Sequence, residues 1–221
     1  MDNSERKSHL DGLSDVEILD KIIRYSKRSH YKDEDRELAA KLISAYCTLK
    51  DVLKTDVRSL LCFKGLDERT AVFISLFYQS AQRIGEDTAD RIRKIPDTQS
   101  AKDFFRALLK VKRNECFAVV ALNDKRKVLD WRIISEGYVN QTAVDTRSLM
   151  VFLIDHDAKG AIIAHNHPGS SPEPSYDDIM LTRKLINLLK TVGIELIDHI
   201  IIGKSSDYSI LTESENPLLN I

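Results

Sequence analysis

Apolar residues recur at helical spacing through the first hundred positions and then give way to strand-like runs. Leu13-Ser14-Asp15-Val16-Glu17 predicts a helix start, with Ser14 as cap and Glu17 three residues on, the spacing of a capping box. Ile18, Leu19, Ile22 and Ile23 continue it as one apolar stripe. A polar loop from Ser26 to Asp35 follows, and Leu38, Ala39, Leu42, Ile43 and Tyr46 then resume the helical period. Val52, Leu53, Val57, Leu60 and Leu61 predict two shorter helices. Phe63-Lys64-Gly65-Leu66-Asp67 interrupts the pattern, which returns from Ala71 to Ile84.

Gly85-Glu86-Asp87 through Ile95-Pro96-Asp97 is polar and charged, and the domain boundary is expected there, giving a helical domain over 1–88 and a second over 97–221. The second opens on a helix from Ser100 to Lys110 with Phe104, Phe105, Leu108 and Leu109 on one stripe. Cys116 to Leu122 is an unbroken apolar run typical of a buried strand. Asn123 to Arg126 predicts a turn, and Lys127 to Ile134 the hairpin partner. A helix over Asp145–Leu153, a strand over Ala161–Ala164 and a helix over Ser175–Val192, stopped by Gly193, come next. Ile194 to Ile202 and Tyr208-Ser209-Ile210 close the chain as strands. The expected class is mixed α/β (α+β): a mixed sheet flanked by helices, preceded by an all-helical domain.

Composition narrows the function classes. The 221 residues are 43% hydrophobic and 30% charged, as in ordinary globular proteins, and no apolar run could span a bilayer. Met1-Asp2-Asn3-Ser4-Glu5-Arg6-Lys7 is polar and has no apolar signal core. Cys47, Cys62 and Cys116 are too widely spaced for a disulfide framework or a zinc knuckle, which fits a reducing cytoplasm; Cys62 and Cys116 lie in apolar runs and are expected in the core. A net charge of -1 gives no whole-chain pull toward nucleic acid.

The chemistry concentrates in His165-Asn166-His167-Pro168 and the Ser175-Tyr176-Asp177-Asp178 that follows. On a strand, alternate side chains share a face, so His165 and His167 are expected together. Asp178, in the first turn of the next helix, can bring a carboxylate back to the same point, or can pair with Ser175 as a capping box. Asp177 points to a different side of the helix. Two imidazoles and one carboxylate with a fourth position left to water make a hydrolytic zinc site rather than a closed structural one.

Residues 97–221 resemble the JAB/MPN metalloprotease-like superfamily, specifically its bacterial RadC branch. The resemblance rests on Glu115 upstream, His165-Asn166-His167, then seven residues and Ser175-Tyr176-Asp177-Asp178. It extends to Ala164-His165-Asn166-His167-Pro168, to Pro174-Ser175, and to Ile197-Asp198-His199-Ile200-Ile201-Ile202-Gly203. It implies His165, His167 and Asp178 as zinc ligands. Glu115 would be the general base that takes a proton from zinc-bound water, and Ser175 a polariser of the substrate carbonyl. Glu136, which also precedes a β-prone run, is the rival base. RadC proteins usually read Ser-Gly where this chain has Gly169-Ser170, a swap inside a turn.

The helical part resembles the helix-hairpin-helix module that RadC carries. A DNA-binding hairpin of that kind reads Gly-hydrophobic-Gly, whereas this chain reads Gly65-Leu66-Asp67, setting an acid where phosphate would lie. Any DNA contact is expected to be weak and confined to residues 60–72, where Lys64 and Arg69 flank the hairpin. The expected function is zinc-dependent cleavage of an amide bond in a peptide or protein substrate, in the bacterial cytoplasm. The competing readings are a RadC-like DNA repair or recombination accessory factor and an interaction scaffold with a relic metal site. His199 and Asp198 belong to the RadC-like segment outside the ligand set; His199 is expected either to support the site or to pack as a strand histidine.

Overall fold

The computed structural model describes residues 12–27, 33–137 and 144–213, so the Met1–Lys7 segment and the centre of the predicted Ser26–Asp35 loop lie outside it. The chain divides into two units, Met1–Ala81 and Gln82–Ile221.

The first unit contains helices α1 (Asp15–Lys27), α2 (Asp33–Tyr46), α3 (Leu49–Lys54), α4 (Val57–Leu61) and the start of α5 (Glu68–Arg91). Ser14 and Glu17 make the predicted capping box: Ser14 N donates to Glu17 at 2.9 Å, and Glu17 N to Ser14 Oγ at 3.3 Å. Thr48 and Asp56 cap α3 and α4, their side chains accepting from Asp51 N and Ser59 N. The periodic stripes close into one core around Leu19, Ile23, Leu42, Val52, Leu60 and Ile74. Cys62, expected in this core, is exposed at the end of α4, where its thiol donates to Arg58 O at 3.4 Å. An apolar run laid over a helix end does not bury every member.

The Gly85–Asp97 stretch is helical as far as Arg91. Gly85 stands inside α5 because a Cβ there would lie 2.3 Å from the Ala107 carbonyl oxygen. The glycine permits a close helix approach and does not break the helix, contrary to what its polar neighbours suggest.

The second unit is built on a five-stranded sheet in the order β2-β1-β3-β4-β5. Its strands are β1 (Cys116–Leu122), β2 (Val128–Glu136), β3 (Gly160–Asn166), β4 (Glu195–Ile202) and β5 (Asp207–Ser209). β1 runs antiparallel to β2 and β3, β3 is parallel to β4, and β4 is antiparallel to β5. Helix α6 (Thr98–Leu109) covers one face; α7 (Thr146–Asp155) and α8 (Tyr176–Lys190) cover the other. Alternation sorts β1 between the two cores: Cys116, Ala118, Val120 and Leu122 join α6, while Phe117, Val119 and Ala121 join α7 and α8. Phe104 and Phe105 of α6 are fully buried, each ring contributing about 3 kcal/mol by area removed from water. Ile210 does not end a strand, as its sequence predicts, but begins the short helix α9 (Ile210–Glu213). Ser209 Oγ accepts from Thr212 N at 3.1 Å and so ends the strand by capping that helix.

Among the described residues no helix is long and apolar enough to cross a membrane.

Candidate metal centre

Sheet register brings the chemistry together. Phe117 of β1 stands opposite His165 of β3. Glu115 lies two residues before Phe117 and His167 two after His165, just beyond the end of that ladder, and their side chains come to the same point. The parallel β3–β4 pairing places His199 beside Ile163, one alternate position from His165 on that face. Helix α8 then lays its N-terminus across these strand ends, held there by Ile179, Thr182 and Leu185.

The connecting turn is fixed at both ends. His167 N donates to Ile202 O at 2.9 Å, Ser170 N to His167 O at 3.2 Å, and Lys204 N to Ser170 O at 2.9 Å. Gly169 has φ +81°, so in this chain the left-handed position demands glycine at 169 and serine can follow it. The Gly169-Ser170 order is therefore compatible with the turn.

Ser175 caps α8. Its Oγ accepts from Asp178 N at 3.2 Å and donates to Asp178 Oδ2 at 2.6 Å, and Ser175 N donates to the same oxygen at 2.8 Å. The capping role of Asp178 uses Oδ2. The other oxygen, Oδ1, lies 3.2 Å from His165 Nε2, and Oδ2 is 3.9 Å from His167 Nε2. Cap and candidate ligand are thus one carboxylate used from both sides.

The two imidazoles meet through their Nε2 atoms at 3.0 Å. Hydrogen bonds assign their tautomers. Thr182 Oγ1 donates to Asp178 O at 2.6 Å, so it accepts from His199 Nδ1 at 2.7 Å. His199 is fully buried and desolvation holds its pKa well below the ordinary value, so it is neutral with an unprotonated Nε2. His165 Nδ1 must then donate to His199 Nε2, at 2.9 Å. Burial pushes the His165 pKa down to about 4, against the attraction of Asp178 and with a further push from His167. Its Nε2 is accordingly a lone pair. The short His165–Asp178 contact is not an ion pair, because desolvation outweighs the carboxylate. His167 Nδ1 donates to Ser171 O at 3.0 Å, which leaves its Nε2 facing the same point. Three acceptor atoms, two imidazole nitrogens and one carboxylate oxygen, converge there. A metal cation, which accepts all three lone pairs at once, makes that arrangement favourable.

Glu115 stands nearby. One of its oxygens and a ring nitrogen from each of His165 and His167 all lie within 4.8 Å of one another, a group that can hold a metal ion. Two triads therefore share the same imidazoles, one completed by Asp178 and one by Glu115. Asp178 lies 3.2 Å from His165 Nε2 and is fixed by its helix cap, while Glu115 joins the two histidines within 4.8 Å. Partial burial raises the Glu115 pKa, His167 pulls it down, and Asp178 raises it again. A hollow of about 300 Å³ lined by Arg113, Asn114, Glu115 and Pro168 adjoins Glu115. The His165 side chain is 3% exposed and that of His167 20%, so the centre opens toward solvent on the His167 side.

The remaining candidates fall elsewhere. Glu136 is exposed at the end of β2. Asp198 is buried and accepts from Ser209 Oγ at 2.7 Å and His199 N at 2.7 Å, a structural role at the β4–β5 corner. Cys116 is buried, whereas Lys64 and Arg69 are exposed in the first unit. Asp67 is exposed but not unpaired; its Oδ1 accepts from Thr70 N at 2.7 Å at the start of α5. Sequence reasoning misses Thr182 and Asn166. Both are buried polar residues, and the place of Asn166 inside His-x-His is the one local signal that points to it.

Residues 95–216 match the family model for a RadC-like JAB domain. A UPF0758 protein of Neisseria gonorrhoeae is 30% identical over 190 residues, covering 86% of this chain and 83% of the relative. One from Staphylococcus carnosus is 29% identical over 199 residues, covering 90% and 87%. A third, from Pelobacter propionicus, is 30% identical over 192 residues, covering 86% and 83%. The family match spans more than half the sequence and the relatives align along most of their length: this chain belongs to the RadC family and carries its JAB domain.

Proposed function

We propose that this protein is a zinc-dependent hydrolase that cleaves an amide bond in a peptide or protein, with His165, His167 and Asp178 holding the ion. The observation that carries the reading is the convergence of His165 Nε2, His167 Nε2 and Asp178 Oδ1 with no donor hydrogen assigned among them. Three neutral or anionic N/O donors with one side open to solvent suit zinc in a catalytic setting. A bound ion would polarise the amide carbonyl and bring water into the ionisable range near neutral pH.

The chain's own groups supply the rest. Glu115 is the proton acceptor, its raised pKa moving it toward the poise that a general base needs. It later returns the proton to the leaving amine. Ser175 Oγ sits at the N-terminus of the 15-residue α8, where backbone dipoles favour negative charge. Its hydroxyl reaches a developing oxyanion by turning away from Asp178. His199 and Thr182 hold His165 in the tautomer that presents Nε2. The hollow beside Glu115 is where a substrate would lie.

Metal analysis and peptide hydrolysis on wild type and Glu115→Gln test the reading. The variant should keep one zinc per chain and lose turnover by at least about 100-fold. Loss of zinc from Glu115→Gln would make Glu115 a ligand, and equal turnover would remove it from the mechanism. The DNA-associated reading draws no support from Asp67, whose carboxylate occupies an α5 amide that a phosphate would need.

A further inference from the structure

Asn166, the residue between the two histidines, has a side chain that does not point toward the centre. Its Oδ1 accepts from Cys116 N at 2.8 Å, and its Nδ2 donates to Asn114 O at 3.1 Å. Those two groups belong to the peptide units on either side of Glu115. The β1–β3 ladder ends at Phe117 opposite His165, and the next rung would pair Cys116 with Asn166. The Asn166 side-chain amide takes the place of that rung. It offers one acceptor and one donor, as a backbone strand would, but from the length of a side chain. The third constraint on the segment is Gly137 N, which donates to Glu115 O at 3.1 Å. Asn166 itself is 3% exposed, and both of its bonds are made in a region where an unsatisfied amide is costly.

We propose that Asn166 is a positioning residue for Glu115: its amide brackets the Glu115 backbone and so sets the distance of that carboxylate from His165 and His167. The proposal rests on the hydrolase reading only for the consequence in turnover. Its structural consequence is independent of activity. The amide serves both groups at once from two separate atoms, an acceptor oxygen and a donor nitrogen. Aspartate keeps the acceptor for Cys116 N and turns repulsive toward Asn114 O; alanine removes both.

The test uses the full chain loaded with Co²⁺, whose visible absorption band responds to the carboxylates around the ion, together with metal stoichiometry, the exchange rate of the Cys116 amide, and peptide hydrolysis. Asn166→Ala and Asn166→Asp should bind one Co²⁺ per chain, because the histidines and Asp178 are untouched. Both should change the band in the sense that Glu115→Gln changes it, and speed exchange of the Cys116 amide. Adding either to Glu115→Gln should produce no further spectral change, since the substitution acts through Glu115. Where turnover is measurable, kcat should fall about 10- to 100-fold with KM nearly constant, the usual scale for a group one shell out from a reacting centre. A spectrum unchanged by either Asn166 substitution, or an equal change on the Glu115→Gln background, overturns the proposal. Should Asn166→Ala fail to fold, the isosteric Asn166→Asp carries the same comparison. Zinc-loaded wild type without turnover would end the hydrolase reading and leave the spectral coupling to decide this one.

Discussion

Two helix starts in this chain carry the same kind of acid-and-hydroxyl cap and come to different uses. At α5 in the first unit, Asp67 accepts from Thr70 N at 2.7 Å. That bond lowers its pKa, and the carboxylate is spent on its own helix. At α8 in the second unit, Asp178 also serves a cap, receiving Ser175 N at 2.8 Å and Ser175 Oγ at 2.6 Å, but through Oδ2 alone. Its Oδ1 remains for His165 at 3.2 Å. A carboxylate has two oxygens, and a helix cap can be satisfied by one of them. The sheet decides what the second oxygen meets: β3 ends against α8 with two imidazoles on the facing side. Local sequence makes a cap in both places, and only the neighbouring strand makes one of them a candidate ligand.

Replacing each acid by its amide separates the two caps most forcefully, because the amide keeps an acceptor for the cap and removes the charge. Asp178→Asn should weaken zinc binding by more than about 100-fold in competition with a chelating dye, and Asp67→Asn should leave it within about 2-fold. Wild-type affinity in Asp178→Asn would transfer the third ligand position to Glu115 and dissolve the distinction between the two caps.

A second measurement concerns the metal-free protein. The His165 pKa is held at about 4 in the folded chain against 6.5 for a free imidazole, and that of His199 is lowered as well. Between those values the unfolded chain binds more protons than the folded one, so stability rises with pH across this window and is lost as pH falls through it. For His165 the gap between the two values corresponds to about 3 kcal/mol. Glu115 and Asp198, whose pKa values are raised by burial, act in the opposite sense as pH climbs through the carboxylate range. Denaturant midpoints of wild type and His165→Asn, each without metal, should therefore diverge from about pH 4 to 6.5, with the wild type gaining more as pH rises. Parallel curves would mean that His165 is not desolvated as the buried site implies.

Much of this site is legible in the sequence because it is local. Strand alternation alone puts His165 and His167 on one face, and the Ser-x-x-Asp spacing alone puts Asp178 in the first turn of α8. Glu115 is less legible. Its neighbourhood resembles that of Glu136, and the choice turns on pairing: the β1–β3 ladder ends at Phe117 and His165 and leaves Glu115 just beyond it, beside the two histidines, whereas β1 against β2 sets Glu136 opposite Cys116, on the outer strand. The His165–His199–Thr182 chain is only partly legible: the sequence leaves His199 open between supporting the site and packing as a strand histidine, and gives no sign of Thr182. It needs β4 beside β3 in parallel and an irregularity in pairing between Ala161 and Ile162, neither of which any local pattern encodes. Gly85 misleads for a related reason. The Ala107 carbonyl of another helix demands a residue without a Cβ there, and sequence neighbours carry no trace of it.

The mildest consequence falls on the first of the two caps. Asp67→Ala removes the acceptor from Thr70 N at the start of the 24-residue α5. Loss of an N-cap acceptor costs about 1 kcal/mol, and no metal or histidine lies within the interaction to add to it. The urea midpoint followed by far-ultraviolet circular dichroism should fall accordingly, while zinc affinity and any amide hydrolysis stay at the wild-type level. The same variant opens an amide that phosphate could occupy. A salt-dependent titration with duplex and branched DNA then asks whether the cap alone kept the anion out. The prediction is that affinity stays near the wild-type level. Gly65 supplies only one of the two glycines that let backbone amides approach phosphate, and an alanine side chain in place of Asp67 would still carry a Cβ. Tight, salt-sensitive binding gained on this one substitution would show instead that the two helix starts differ by a single side chain, and would return the first unit to the nucleic-acid reading.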